Sequence, residues 1–469
     1  MSNTSRVLVM ASFAALPMRA AAAQLPAGTT PPTAEALAAR IDSVVKADIL
    51  PRGFPSVSIA VTRGGRTLLE RAWGVANVTT GQKAEPSTTY DIGSMAKQFT
   101  AALVLKLVDR GKLSLTDSVG RYLKGLRPEW NAITIEQLLN HTSGLSRGYV
   151  MRSRPDENVP GDALIAAAAR DTLESKPGTV WAYSNTGYLL LGVLVEKVYG
   201  KPYGVVLRDE IARPLGLKSL GWCESVAKER AAAGYTRSSD GKVTPGREQH
   251  ASQALGSGAI CSTAGDVARW NQALHGGRVL SAASYAAMTT TRGAATGKYG
   301  FGLVPRTSPW GSPAIWHDGQ DVGFSSDNAW FPAESLSVTL LYNALPKIEV
   351  PMADFVGLIA LGGTPRPIPP MAVIELPIAA TQGEGRPKFV GAYEIGVGRT
   401  FIVTFEDGNL YVTPPRGSRQ QLLLQSGTTY TLGSPGGSTT VTFRVDADGV
   451  VTGFTVRDNG VDRELRKVK

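Results

Sequence analysis

Ser94 and Lys97 stand three residues apart in Asp91–Gly111, DIGSMAKQFTAALVLKLVDRG. On a helix that spacing puts both side chains on one face, so the Ser94 hydroxyl and the Lys97 amine can meet. A serine hydroxyl is a weak nucleophile until something accepts its proton. A lysine can accept it only when burial and neighbours lower its pKa enough to populate the neutral amine. The apolar run FTAALVLKLV supplies such a setting, and the helix start adds amide donors where an oxyanion would develop. The plainer alternative is a capping serine followed by a snorkelling lysine, so the pair needs partners.

Two downstream stretches offer them. WAYSNTGYLLLG places Tyr183 and Asn185 just before an apolar helix pattern. A phenol beside a buried ammonium can act as a general base and later protonate a leaving group, while an asparagine amide can orient a carbonyl. IWHDGQDVGFSS sets His317, Asp318 and Gly319 on an expected edge strand. There Gly319 would admit a substrate backbone, and the Gln320 amide would be a second oxyanion donor. Read alone, each stretch is equally a half-buried aromatic with an N-cap asparagine, or a strand ending in an Asp-Gly turn.

The elements around them follow from periodicity. SVSIAV, TRGGRT and LLERAWGVA predict a β-hairpin within Pro51–Asn77. Helices are expected over Met95–Arg110, Ile135–Asn140 (with Thr134 and Gln137 as a capping box), NTGYLLLGVLVEKVYG, Ala264–Leu274 and Ser281–Thr289. Strand patterns return at GFGLV, IWHDG, GFSSDNAWFP and SLSVTLLYN. Strands at both ends with helices between predict an α+β domain whose terminal strands share one sheet. Residues 361–388, rich in Pro, Gly and small side chains, read as a linker. From Phe389 onward, short alternating runs separated by Asp407-Gly408, Pro435-Gly436-Gly437, Asp448-Gly449 and Asn459-Gly460 predict an antiparallel meander, a small barrel or sandwich over 389–469.

With SMAK, YSN and HDG in that order, the sequence resembles the penicillin-recognising serine hydrolases. These comprise class C β-lactamases, D-alanyl-D-alanine carboxypeptidases, D-aminopeptidases and related esterases, whose elements are S-x-x-K, Y-x-N and K-T-G or H-x-G. LLNHTSGL, PGTVWAYSNTGYLLLG and GSGAICSTAGDVARW extend the likeness across roughly 24–360. The resemblance implies a β-lactamase/transpeptidase-like α+β domain followed by a lipocalin-like barrel. It implies that Ser94 is acylated, that Lys97 and Tyr183 share proton transfer, and that Asn185 positions the substrate. The backbone amides of Ser94 and Gln320 would form the oxyanion hole. His317 would stand in for the third-motif lysine, holding a substrate carboxylate or tuning Tyr183. A histidine grips a carboxylate less well than a lysine, and Asp318 replaces a small hydroxyl residue with a carboxylate. Both departures point away from efficient β-lactam hydrolysis and toward esters, amides or D-amino-acid peptides. β-Lactam or DD-carboxypeptidase activity is the alternative, and a non-hydrolytic penicillin-binding sensor or scaffold is the rival of another class.

The 469 residues suffice for two domains and carry a formal charge of +10 at pH 7. Lys and Arg are scattered without interleaved aromatics, which argues against nucleic acid as a partner. A small-molecule or peptide substrate is expected, no stable membrane span is, and the oligomeric state stays open. Residues 1–23, with Arg6, an apolar Val7–Met18 and Ala21-Ala22-Ala23, read as a secretory signal despite Arg19. The mature chain would then begin near Gln24 and work in the periplasm or outside the cell. There Cys223 and Cys261 can form one disulfide, the alternative being two buried thiols. His141 reads as a structural loop residue. His250 and His275 have no ligand spacing, so neither metal nor other cofactor is expected.

Overall fold

The computed structural model describes residues 30–148, 157–237, 243–246, 249–348, 350–368, 387–394, 400–406, 409–413, 420–432, 439–446, 448–458 and 461–468. The secretory reading of residues 1–23, most of the linker (369–386) and three of the four predicted barrel turns lie outside them.

The hairpin forms as strands β1 (Ser56–Arg63) and β2 (Arg66–Asn77). Gly64 and Gly65, both at positive φ, join them in the two-residue turn whose twist suits a hairpin. The short β3 (Gln82–Lys83) follows, then β4 (Tyr90–Asp91) and helix α1 (Ala96–Asp109), which Gly111 stops at φ 66. The Ile135–Leu139 helix carries the expected capping box, with Thr134 and Gln137 bonding reciprocally. Helix α2 (Asn185–Tyr199) is capped by Ser184, so Asn185 is its first residue rather than the residue before it. Next come β5 (Gly221–Trp222), β6 (Ile260–Ser262) and α3 (Ala264–His275), then β7 (Val304–Thr307), β8 (Pro313–Asp321), β9 (Phe324–Phe331) and β10 (Leu336–Tyr342).

The main sheet has the order β3-β2-β1-β10-β9-β8-β7, so the first and last strands of the domain meet at its centre. β1 and β10 pair antiparallel from Val57↔Tyr342 to Arg63↔Leu336 and are buried on both faces. One sheet face packs on the core containing α1, α2 and α3; the other packs on the Ala34–Val44 and Met352–Ala360 helices. GFGLV is not a strand as predicted. Gly302, at φ 70, presses against the backbone of Lys97 and Gln98, and pairing begins only at Val304. Leu361 and Ile368, assigned to the linker by composition, are buried in the second core.

The C-terminal meander is a closed barrel of eight antiparallel strands, β11–β18, running from Gly391–Glu394 to Val461–Lys467. Tyr393↔Lys467 closes it, which removes the free edges an open meander would present. Among the described residues no helix is long and apolar enough to cross a membrane.

Candidate active site

Ser94 sits on the 3-10 turn Gly93–Met95, between β4 and α1. The turn is clamped from several sides. The Gly93 amide donates to Asp91 Oδ1 at 2.7 Å, the Ile92 amide to the Ile260 carbonyl at 3.0 Å, and Ser326 Oγ to the Ile92 carbonyl at 2.9 Å. β8 lies directly on it: a Cβ on Gly93 would sit 2.7 Å from the Gln320 nitrogen. A Cβ on Gly319 would sit 2.0 Å from the Ile92 carbonyl oxygen. Gly319 therefore makes room for the chain's own nucleophile turn. Beyond Trp316, β7 no longer pairs with β8, so His317–Asp321 form an open edge as expected.

Lys97 is fully buried on the first turn of α1. Its Nζ lies 3.0 Å from Ser94 Oγ and donates to the Ser257 carbonyl at 2.7 Å. Burial holds its pKa well below the ordinary lysine value and Arg147 pushes the same way, against the pull of Asp321 and Asp318. The amine is thereby a proton acceptor beside a hydroxyl. Lys97 Nζ also lies 4.9 Å from the Tyr183 ring centroid.

Tyr183 hydrogen-bonds Ser94, but burial drives its phenol pKa up against that bond. Burial therefore favours the protonated phenol, a hydrogen-bond donor toward Ser94. His141 braces it from behind: the rings are 4.3 Å apart, and His141 Nδ1 accepts from the Ser184 amide at 3.1 Å. His141, at φ 61 and with its pKa well lowered by burial, is the structural loop residue expected. Among the described residues, Asn185 Oδ1 is buried with no hydrogen-bond partner.

His317 is 3 % exposed and neutral, its pKa lowered to about 4 by burial. Its Nε2 meets the Tyr299 hydroxyl at 2.8 Å and its Nδ1 the Asp318 carbonyl at 2.5 Å. A ring so placed supports the wall and carries no charge for a carboxylate. Asp318 forms a salt bridge with Lys347.

Sequence reasoning passed over Asp91, Asp321, Tyr299, Arg147 and Lys347. Asp91 alone left a trace, three residues before Ser94. Asp91 and Asp321 are both pushed up by burial, and Asp321 also raises Asp91. Cys223 and Cys261 are disulfide-bonded, and Cys261 lies on β6 opposite Asp91 of β4. The bond fastens the strand beside the nucleophile turn. Among the described residues the only His/Cys/Asp/Glu group close enough to ligate a metal is Asp91, Cys223 and Cys261, whose sulfurs are already bonded to each other. His250 and His275 are occupied locally, with Ser252 and with Tyr285 and Trp330.

A sequence profile of the Beta-lactamase family matches residues 36–361. The putative penicillin-binding protein PbpX of Bacillus subtilis (strain 168) is 31% identical over 254 residues, 54% of this chain and 63% of that relative. The chain thus spans less than two thirds of PbpX. Penicillin-binding protein 4* of the same organism is 26% identical over 433 residues, 88% of this chain and 95% of its own length. The D-amino acid amidase of Ochrobactrum anthropi SV3, solved with L-phenylalanine amide, superposes with a TM-score of 0.60 at 25% identity. That superposition covers 70% of this chain and 97% of the amidase. With the profile spanning the sheet-and-helix domain, the chain belongs to the β-lactamase family.

Proposed function

We propose that this is an exported hydrolase that cleaves esters, amides or D-amino-acid-type peptides through an acyl-enzyme on Ser94. The observation that carries it is a fully buried Lys97 with Nζ 3.0 Å from Ser94 Oγ. The neutral amine takes the Oγ proton as Oγ bonds to the substrate carbonyl carbon. The oxyanion is held by the backbone amides of Ser94 and Gln320. Tyr183 gives its phenol proton to the departing nitrogen or oxygen and is reprotonated by the Lys97 ammonium. Water then attacks the acyl carbon, losing a proton to Lys97, and the proton returned to Ser94 restores the site as the acid leaves. Asn185 Oδ1 has no hydrogen-bond partner among the described residues, and it would accept a substrate N–H once the side chain turns toward the cleft.

The substrate class is supported by the neutral His317 and the Lys347-neutralised Asp318, which leave the third motif without the free cation that favours β-lactams. Likeness to a D-amino acid amidase supports it further. The names of PbpX and penicillin-binding protein 4* favour a second reading, a β-lactam hydrolase or a penicillin-binding protein that acylates without turnover. Turnover of D- and L-amino-acid amides, short acyl esters and nitrocefin by the purified chain separates these. Hydrolysis of nitrocefin alone would sink the preferred class, and a penicillin adduct that never releases would establish the sensor. Export is supported by the N-terminal pattern and by the cysteine pair, which suits an oxidising compartment. An N-terminus at Gln24 on protein recovered from the cell envelope or medium is the expected result; an intact Met1 there would contradict it.

A further inference from the structure

Arg147 takes no proton in the chemistry above, although its charge reaches the groups that do. It follows the Asn140–Ser146 loop, and its backbone is fastened to the start of α2. The Asn185 amide donates to the Arg147 carbonyl at 2.8 Å, and Ser184 Oγ to the Ser146 carbonyl at 2.7 Å. From there the side chain reaches the cleft, with the guanidinium 5.5 Å from the Tyr183 ring centroid. Its charge is felt by Lys97, Tyr183 and His141. Yet Arg147 is exposed, and no carboxylate pairs with it among the described residues.

The third motif has no such charge to offer. His317 is neutral, and Lys347 already holds Asp318. Among the described residues, the positive charge left without an ion pair at the cleft lies at Arg147 beside Tyr183 and at Lys298, 5.9 Å from the Trp181 ring centroid, rather than at the third motif. Beside it in the chain's packing, Asn185 Oδ1 is buried and has no hydrogen-bond partner among the described residues. A guanidinium whose backbone is fastened and which lies over an aromatic face presents a planar fork that suits a two-oxygen anion.

We infer that Arg147 is a specificity-determining residue that binds an anionic group of the substrate, a carboxylate or a phosphate, over Tyr183. The inference rests on Ser94 being the nucleophile of a hydrolase, as proposed above. It assigns anion recognition in this chain to the loop before α2 and takes it away from His317.

The test is a set of three substrates sharing one scissile bond: a free carboxylate, its carboxamide and a phosphate monoester of similar shape. The parent should prefer an anionic member about tenfold or more in kcat/KM, the size expected of one charge-assisted contact. Arg147→Gln should bring that ratio to within about threefold of unity, mainly through KM, and Arg147→Glu should invert it. Arg147→Lys should keep part of the preference, which a purely structural role would not predict. Whichever anion loses more identifies the source. A parent without charge preference, or a ratio unmoved in Arg147→Glu, overturns the inference while leaving the hydrolase reading standing. If none of the three is turned over and Ser94 takes up no acyl group, both readings fall together.

Discussion

Around Ser94 the chain buries Lys97, His141 and His317 and tucks Asp91 and Asp321 beneath the nucleophile turn. The barrel interior is built instead from Phe389, Tyr393, Tyr430, Phe443 and Phe454 with aliphatic neighbours. The Arg457–Asp462 pair stays exposed, and the buried phenol of Tyr393 simply donates to the Phe389 carbonyl. Burying a lysine without a salt bridge opposes folding, because the charged form loses its water. Burying aromatics favours it. One region holds ionisable groups in forms that water would not allow, and the other is packed as an ordinary core. The difference locates chemistry in the first and stability in the second.

That contrast is broken most severely at Lys97. Lys97→Ala should lower kcat/KM by about 10³-fold or more, since nucleophile and base act as a unit. Lys97→Arg should do no better, because a guanidinium keeps its proton; near-parent activity of either variant would remove Lys97 from the mechanism. The pH profile sharpens the same point. The Lys97 pKa lies well below 10.5, so the amine is the active form, and kcat/KM should fall about tenfold per pH unit on the acid side of that depressed value. The sign for stability is the same. The unfolded chain holds this proton up to about 10.5 while the folded one releases it earlier, so the Lys97 contribution to stability grows as pH rises through that window. A profile rising only near 10 would mean an ordinary lysine.

The barrel side gives effects of another kind. Phe443 is 2 % exposed and packs against Phe389, Tyr393, Tyr430 and Phe454. Phe443→Ala should destabilise the barrel by about 3–5 kcal/mol, read in denaturant unfolding, while Ser94 acylation in the folded protein keeps its rate. Loss of both together would show that the barrel shapes the cleft. The smallest effect is expected at the two domains' contact, where Arg463 meets Glu174 at 2.7 Å with both side chains partly exposed. Arg463→Ala should cost no more than about 1 kcal/mol.

Much of this arrangement was legible in the sequence because it is local. Ser94 and Lys97 meet through helix spacing, Thr134 and Gln137 through a capping box, β1 and β2 through Gly64-Gly65, and the barrel strands through regularly spaced turns. What escaped depends on partners far along the chain. The Lys97 amine is held by Ser257, Gly319 is small because of Ile92, and Asp318 is neutralised by Lys347. His317 was expected to hold a carboxylate weakly or to tune Tyr183, and its burial against Tyr299 depends on a partner 18 residues away. GFGLV carries a strand-like pattern, but close packing of Gly302 on α1 overrides it. Leu361 and Ile368 looked like linker because composition does not register that the chain turns back onto the second core.

The most direct measurement is intact-protein mass spectrometry of the parent and Ser94→Ala after exposure to a fluorophosphonate and, separately, a penicillin. The account predicts a single covalent adduct on the parent with at least one probe, mapped to Ser94, and none on the variant. An adduct of equal yield on Ser94→Ala, or no adduct on a parent that also leaves activated esters uncleaved, would contradict it.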